Sequence, residues 1–71
     1  MLVSKIKGYI ELSSYNREEI KDYMGVSTNT ISAWCTGKSR PSLEDAFKLS
    51  RLLGVTVEDL YEYKEKNLEE K

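Results

Sequence analysis

The sequence predicts an all-α fold, five short helices packed into one compact domain, and three observations predict it. Apolar residues recur at helical spacing in segment after segment. Four of the five runs open on a residue whose side chain caps helices: Asn16, Ser27, Ser42 and Thr56. No stretch shows the sustained apolar–polar alternation of a half-buried strand. With 71 residues there is room for one domain. A core of that size supplies about 3–5 kcal/mol of net stability, so its packing must be economical.

Each helix has its own justification. Leu2, Ile6, Tyr9 and Ile10 share one face of a first helix that ends near Ser13 and Ser14. In the second, Asn16 and Glu19 form a reciprocal cap, Ile20, Tyr23 and Met24 give the apolar face, and Gly25 ends the run. Ser27 caps the third helix, which turns Ile31, Trp34 and Cys35 inward and stops at Gly37. The loop "KSRPS" holds the single proline. Ser42 with Asp45 then opens a fourth helix, with a stripe of Leu43, Ala46, Phe47, Ser50 and Leu53 up to Gly54. Thr56 with Asp59 starts a fifth that runs through Leu60 and Tyr61. The expected domain is residues 1–63, with 64–71 a charged tail or a frayed extension of the fifth helix.

Charge and chemistry narrow the function. Formal net charge is −1, but residues 1–57 hold eight Lys/Arg against six Asp/Glu, while residues 58–71 hold three against six. An acidic end thus masks a mildly basic body. There is no His and a single cysteine, Cys35, which excludes an intramolecular disulfide and the usual metal and Ser-His or Cys-His sites. No cofactor is implied. Acidic pairs such as Glu18–Glu19, Glu44–Asp45 and Glu58–Asp59 fall in first helical turns, where capping and the helix dipole account for them. An enzyme is therefore not expected. No signal-like leader or membrane-length apolar run is present, which predicts a cytoplasmic protein with no membrane partner.

The second and third helices are joined by a turn of about three residues containing Gly25, the arrangement of a helix-turn-helix. That motif needs a residue at Gly25 that tolerates positive φ, and apolar wedges at Ile20, Val26, Ile31 and Trp34. All are present. From Ile6 to Tyr61 the chain resembles the lambda-repressor/Cro-like, or XRE-type, helix-turn-helix regulators. The resemblance rests on "NREEI", "GVSTNTISAW" and "GKSRPSLEDAFKLSRLLGVTVEDLY". It implies a five-helix lambda-repressor-like domain that lays its third helix in the major groove of operator DNA, binds paired half-sites as a dimer and regulates transcription. Three positions depart from that pattern. Arg17 stands where the family commonly has a phosphate-contacting Gln, and Lys21 where closely approaching helices usually require Ala. Ile10 and Cys35 replace an Arg–Glu pair, a joint apolar exchange that a fold tolerates.

With Ile31, Trp34 and Cys35 inward, Thr28, Asn29, Ser32 and Ala33 face outward near the helix start, where a recognition helix reads bases. Asn29 has the bidentate geometry for adenine, Thr28 and Ser32 bond to several bases, and the Ala33 methyl suits thymine. Trp34 reads as core. Phosphate anchoring falls to Asn16 and Arg17 at one helix start, Ser27 at the next, and the loop residues Lys38, Ser39 and Arg40. Lys5, Lys7, Lys48 and Arg51 read as solvated. Tyr61 and Leu68, seven residues apart, are the expected contact of a weak homodimer. Two functions fit these residues. One is a DNA-binding transcriptional regulator, a repressor of phage or mobile-element type. The other is a protein-interaction module such as an anti-repressor, antitoxin or adaptor, or a regulator under the control of a partner protein.

Overall fold

A computed structural model describes residues 1–65. Its elements run β1 (Leu2–Ser4), α1 (Ile6–Leu12), α2 (Arg17–Met24), α3 (Thr28–Thr36), α4 (Leu43–Leu53), α5 (Val57–Leu60) and β2 (Tyr61–Tyr63). Five helices are present in the expected order, and each of the four foreseen caps is made by its side chain. Asn16 and Thr56 close full capping boxes with Glu19 and Asp59, and Ser27 and Ser42 accept from the N–H groups of Thr30 and Asp45.

The ends of the domain differ from the expectation of an all-α chain. Leu2 does not belong to the first helix. It pairs instead in an antiparallel ribbon, with Leu2 opposite Tyr63, Val3 opposite Glu62 and Ser4 opposite Tyr61. Tyr61 likewise leaves the fifth helix, which ends at Leu60. Valine and tyrosine suit a pleated surface, but a ribbon this short is not stable alone. Ser4 fastens it, its Oγ donating to the Trp34 carbonyl at 2.8 Å, and the Lys5 N–H donates to Leu60 at 2.8 Å. Bonding continues past the expected boundary at residue 63, since Met1 and Lys64 exchange backbone bonds of 2.7 and 2.8 Å. Lys64 and Glu65 are not helical, and the rest of the expected tail, 66–71, lies outside the described residues.

The core is Ile6, Ile10, Ile20, Met24, Ile31, Trp34, Leu49 and Leu60, with Val26, Cys35, Leu52 and Leu53 packed against it. On α4 the stripe is rotated from the expected one. Ala46, Leu49 and Ser50 are buried, whereas Leu43 and Phe47 are 73% and 52% exposed. Tyr23 also stays half-exposed, with the Lys48 ammonium 5.8 Å from its ring centroid. No helix among the described residues is long and apolar enough to cross a membrane.

Candidate nucleic-acid interface

α3 is held from inside. Ile31 and Trp34 are buried, so rotation of the helix is set by the core, and Thr28, Asn29 and Ser32 stand exposed on the outer side with Ala33 half-covered beside them. The Ser27 hydroxyl accepts from the Thr30 N–H at 3.1 Å and lies 3.1 Å from the Thr30 hydroxyl, so Thr30 is tied into the cap. α3 carries no acidic residue. Its entry is set by Gly25, at φ +73°, a conformation that costs glycine little and other residues more.

The cations expected to meet phosphate gather around this helix. Arg17 opens α2, and its Nη1 donates to the Ser32 Oγ at 3.0 Å. The Lys38–Arg40 loop folds back onto α3, with the Ser39 N–H donating to the Ala33 carbonyl at 3.3 Å, and all three loop residues are exposed. Asn16 has less to offer than its position suggested. Its side-chain oxygen accepts from the Glu19 N–H and its own N–H donates to the Glu19 carboxylate, leaving only its amide NH₂. Burial pushes the Cys35 thiol above its ordinary range, against the opposing charges of Arg17 and Lys7. Of the expected dimer contact, only Tyr61 is among the described residues. Tyr61 lies in β2, half-buried, with its hydroxyl enclosed and unpartnered; Leu68 lies outside the described residues. α5 ends at Leu60, so Tyr61 does not lie on that helix. Among the described residues no group of acidic or cysteine side chains is arranged to hold a metal ion.

Comparison with known proteins agrees with this geometry. The helix-turn-helix family profile matches residues 6–60. The chain belongs to the XRE-type helix-turn-helix family of DNA-binding regulators. It is 39% identical, over 87% of its length and 94% of the relative's, to an uncharacterised HTH-type transcriptional regulator of Methanocaldococcus jannaschii. It is 35% identical over its whole length to the cryptic phage CTXphi transcriptional repressor RstR of Vibrio cholerae, of which it spans 64%. A crystal structure of a Bacteroides fragilis protein proposed to bind DNA superposes with a TM-score of 0.80 at 35% identity, covering 87% of this chain and all of that one.

Within this family frame the three departures have structural answers. Lys21 is half-buried, and its ammonium pairs within its own helix, with Glu18 at 3.7 Å and Asp22 at 3.6 Å. Ile10 is in the core cluster and Cys35 packs against it, the apolar exchange expected for those positions. Arg17 keeps its place at the start of α2 but reaches onto α3. Sequence reasoning missed that link, since nothing in the spacing of residues 17 and 32 signals it.

Proposed function

We propose that this regulator binds operator DNA in a sequence-specific manner, with α3 in the major groove, and represses transcription for a phage or other mobile element. The observation that carries the reading is the exposed, uncharged polar row Thr28, Asn29 and Ser32 on a helix free of acids, flanked by Arg17, Lys38 and Arg40. Neutral polar side chains discriminate among bases, and cations beside them attach the helix to the backbone without reading it. Likeness to a phage repressor supports repression and the mobile-element setting. Base reading is assigned to Thr28, Asn29 and Ala33 on the groove side, with Ser32 beside them. Phosphate contacts are assigned to Arg17, Ser27, Lys38, Ser39 and Arg40, with the Asn16 amide. Binding as a weak homodimer to half-sites about 34 Å apart completes the proposal. A cytoplasmic location and no catalytic role follow from it.

Selection of bound duplexes from a random library tests this reading. A defined sequence should emerge, and Asn29→Ala should cost about 1–3 kcal/mol per half-site on that sequence alone. Arg17→Ala should weaken binding to every duplex and make the slope of log K against log salt shallower by about one unit per subunit. If no sequence emerges, and Asn29→Ala instead abolishes capture of a protein, α3 is a protein-binding surface and the proposal is wrong.

A further inference from the structure

Arg17 is an unusual cation in this molecule because it is held without being neutralised. Among the described residues the ion pairs join Lys5 to Glu62 and Lys21 to Glu18 and Asp22; Arg17 has none. Glu19, two residues on, is taken up by the Asn16 capping box. Arg17 instead donates to a neutral oxygen, Ser32 Oγ at 3.0 Å, fifteen residues away and on the other helix of the motif. A guanidinium has five N–H donors in a rigid fork, so this bond, with the Cys35 thiol also beside the group, leaves further donors and the full charge available for an anion. It also restricts a long side chain before any ligand arrives, which lowers the ordering cost of binding. Arg17 is half-covered and Ser32 is exposed, so the fork rests on the solvent-facing side of α3 beside the N-terminus of α2. That helix start favours an anion by its own dipole.

We infer that Ser32 serves DNA binding as a positioning residue: its hydroxyl holds the Arg17 guanidinium between α2 and α3 in the orientation that meets a backbone phosphate. This rests on the DNA-binding reading above and gives that face a division of labour. Asn29, with no side-chain partner inside the domain among the described hydrogen bonds, keeps its amide for a base edge. Ser32 acts through its neighbour.

A double-mutant cycle on the full chain tests it, with the selected duplex and an unrelated duplex of equal length as probes. Ser32→Ala should weaken binding to both duplexes by the same factor, about three- to tenfold. It should add nothing when Arg17 is already Ala, because the residue it positions is gone. Ser32→Thr, which keeps a hydroxyl, should restore affinity, and the thermal midpoint should be the same in all Ser32 variants. Loss on the selected duplex alone, of equal size with and without Arg17, makes Ser32 a base reader and overturns the inference. So does a Ser32→Ala protein that binds both duplexes like the parent. A parent chain that binds neither duplex overturns the DNA-binding reading itself, a result separate from either of these.

Discussion

The surface around α3 and the surface around α5 and the ribbon are built on one core and handle charge differently. On the first, Arg17, Lys38 and Arg40 are not ion-paired among the described residues, and the helix between them has no acid. On the second, Glu58, Asp59 and Glu62 line a shallow groove against α1, and its one lysine, Lys5, is paired with Glu62 at 3.2 Å. A formal charge of −1 averages over these two surfaces and describes neither. A polyanion is drawn to the first and turned from the second, so the same distribution that lowers general affinity for nucleic acid orients the domain on it.

The largest test removes what both surfaces share. Ile31 is fully buried and joins α3 to the core. Ile31→Ala should cost about 2–5 kcal/mol, comparable with the whole net stability of a core this size. Circular dichroism should show a largely unfolded chain at 37 °C. A cooperative transition near the parent's midpoint would mean that α3 is held by something other than its apolar face.

A smaller contrast uses one substitution at two places. Gly25→Ala, in the turn before α3, forces a side chain into φ +73° and should destabilise by about 1–2 kcal/mol, although the new Cβ would meet nothing within 4 Å. Gly8→Ala, inside α1 on the groove side, meets open space as well but in helical backbone. It should stabilise by about 0.5–1 kcal/mol. Urea midpoints for the two variants should move in opposite directions. Equal shifts would remove conformation as the cause.

These positions also show what a sequence makes legible. Asn16, Ser27, Ser42, Thr56 and Gly25 act on backbone within four residues of themselves, and the structure bears each of them out. α3 follows from such local signals plus the apolar spacing of Ile31 and Trp34. The ribbon does not. Leu2–Ser4 and Tyr61–Tyr63 are too short to show alternation, and their pairing spans nearly the whole chain. Leu2 also happens to sit four residues before Ile6, where it mimics a helical face. On α4 the apolar residues are dense enough to permit two stripes, and only packing against α2 and α5 selects the one containing Leu49. The Arg17–Ser32 bond is likewise tertiary.

Charge removal tests the comparison more directly. Lys38→Ala should make the salt slope of DNA binding shallower by about one unit per subunit. Lys5→Ala removes the same charge from the other surface, where Glu62 already balances it, and should leave the slope unchanged. Equal changes would mean that DNA responds to net charge and that the two surfaces are not distinguished.

The smallest effect lies on the acidic surface and depends on pH. Asp59 is exposed, and its carboxylate accepts from the Thr56 N–H at 3.0 Å, so hydrogen bonding to the charged form lowers its pKa from the ordinary 3.8. The unfolded chain has no such cap and keeps the ordinary value. A depressed folded pKa contributes stability that is fully present above about pH 4 and is lost as pH falls through the folded value. Asp59→Asn keeps an acceptor at the cap but cannot titrate. The difference in thermal midpoint between parent and variant should therefore favour the parent at neutral pH and shrink as the solution is acidified below about pH 4. No comparable trend should accompany Asn29→Ala, since Asn29 carries no charge and caps nothing. A parent–Asp59→Asn difference that stays constant from neutral to strongly acidic pH would show that the α5 cap works as a neutral hydrogen bond. The acidic surface would then gain nothing in stability from the charge of Asp59.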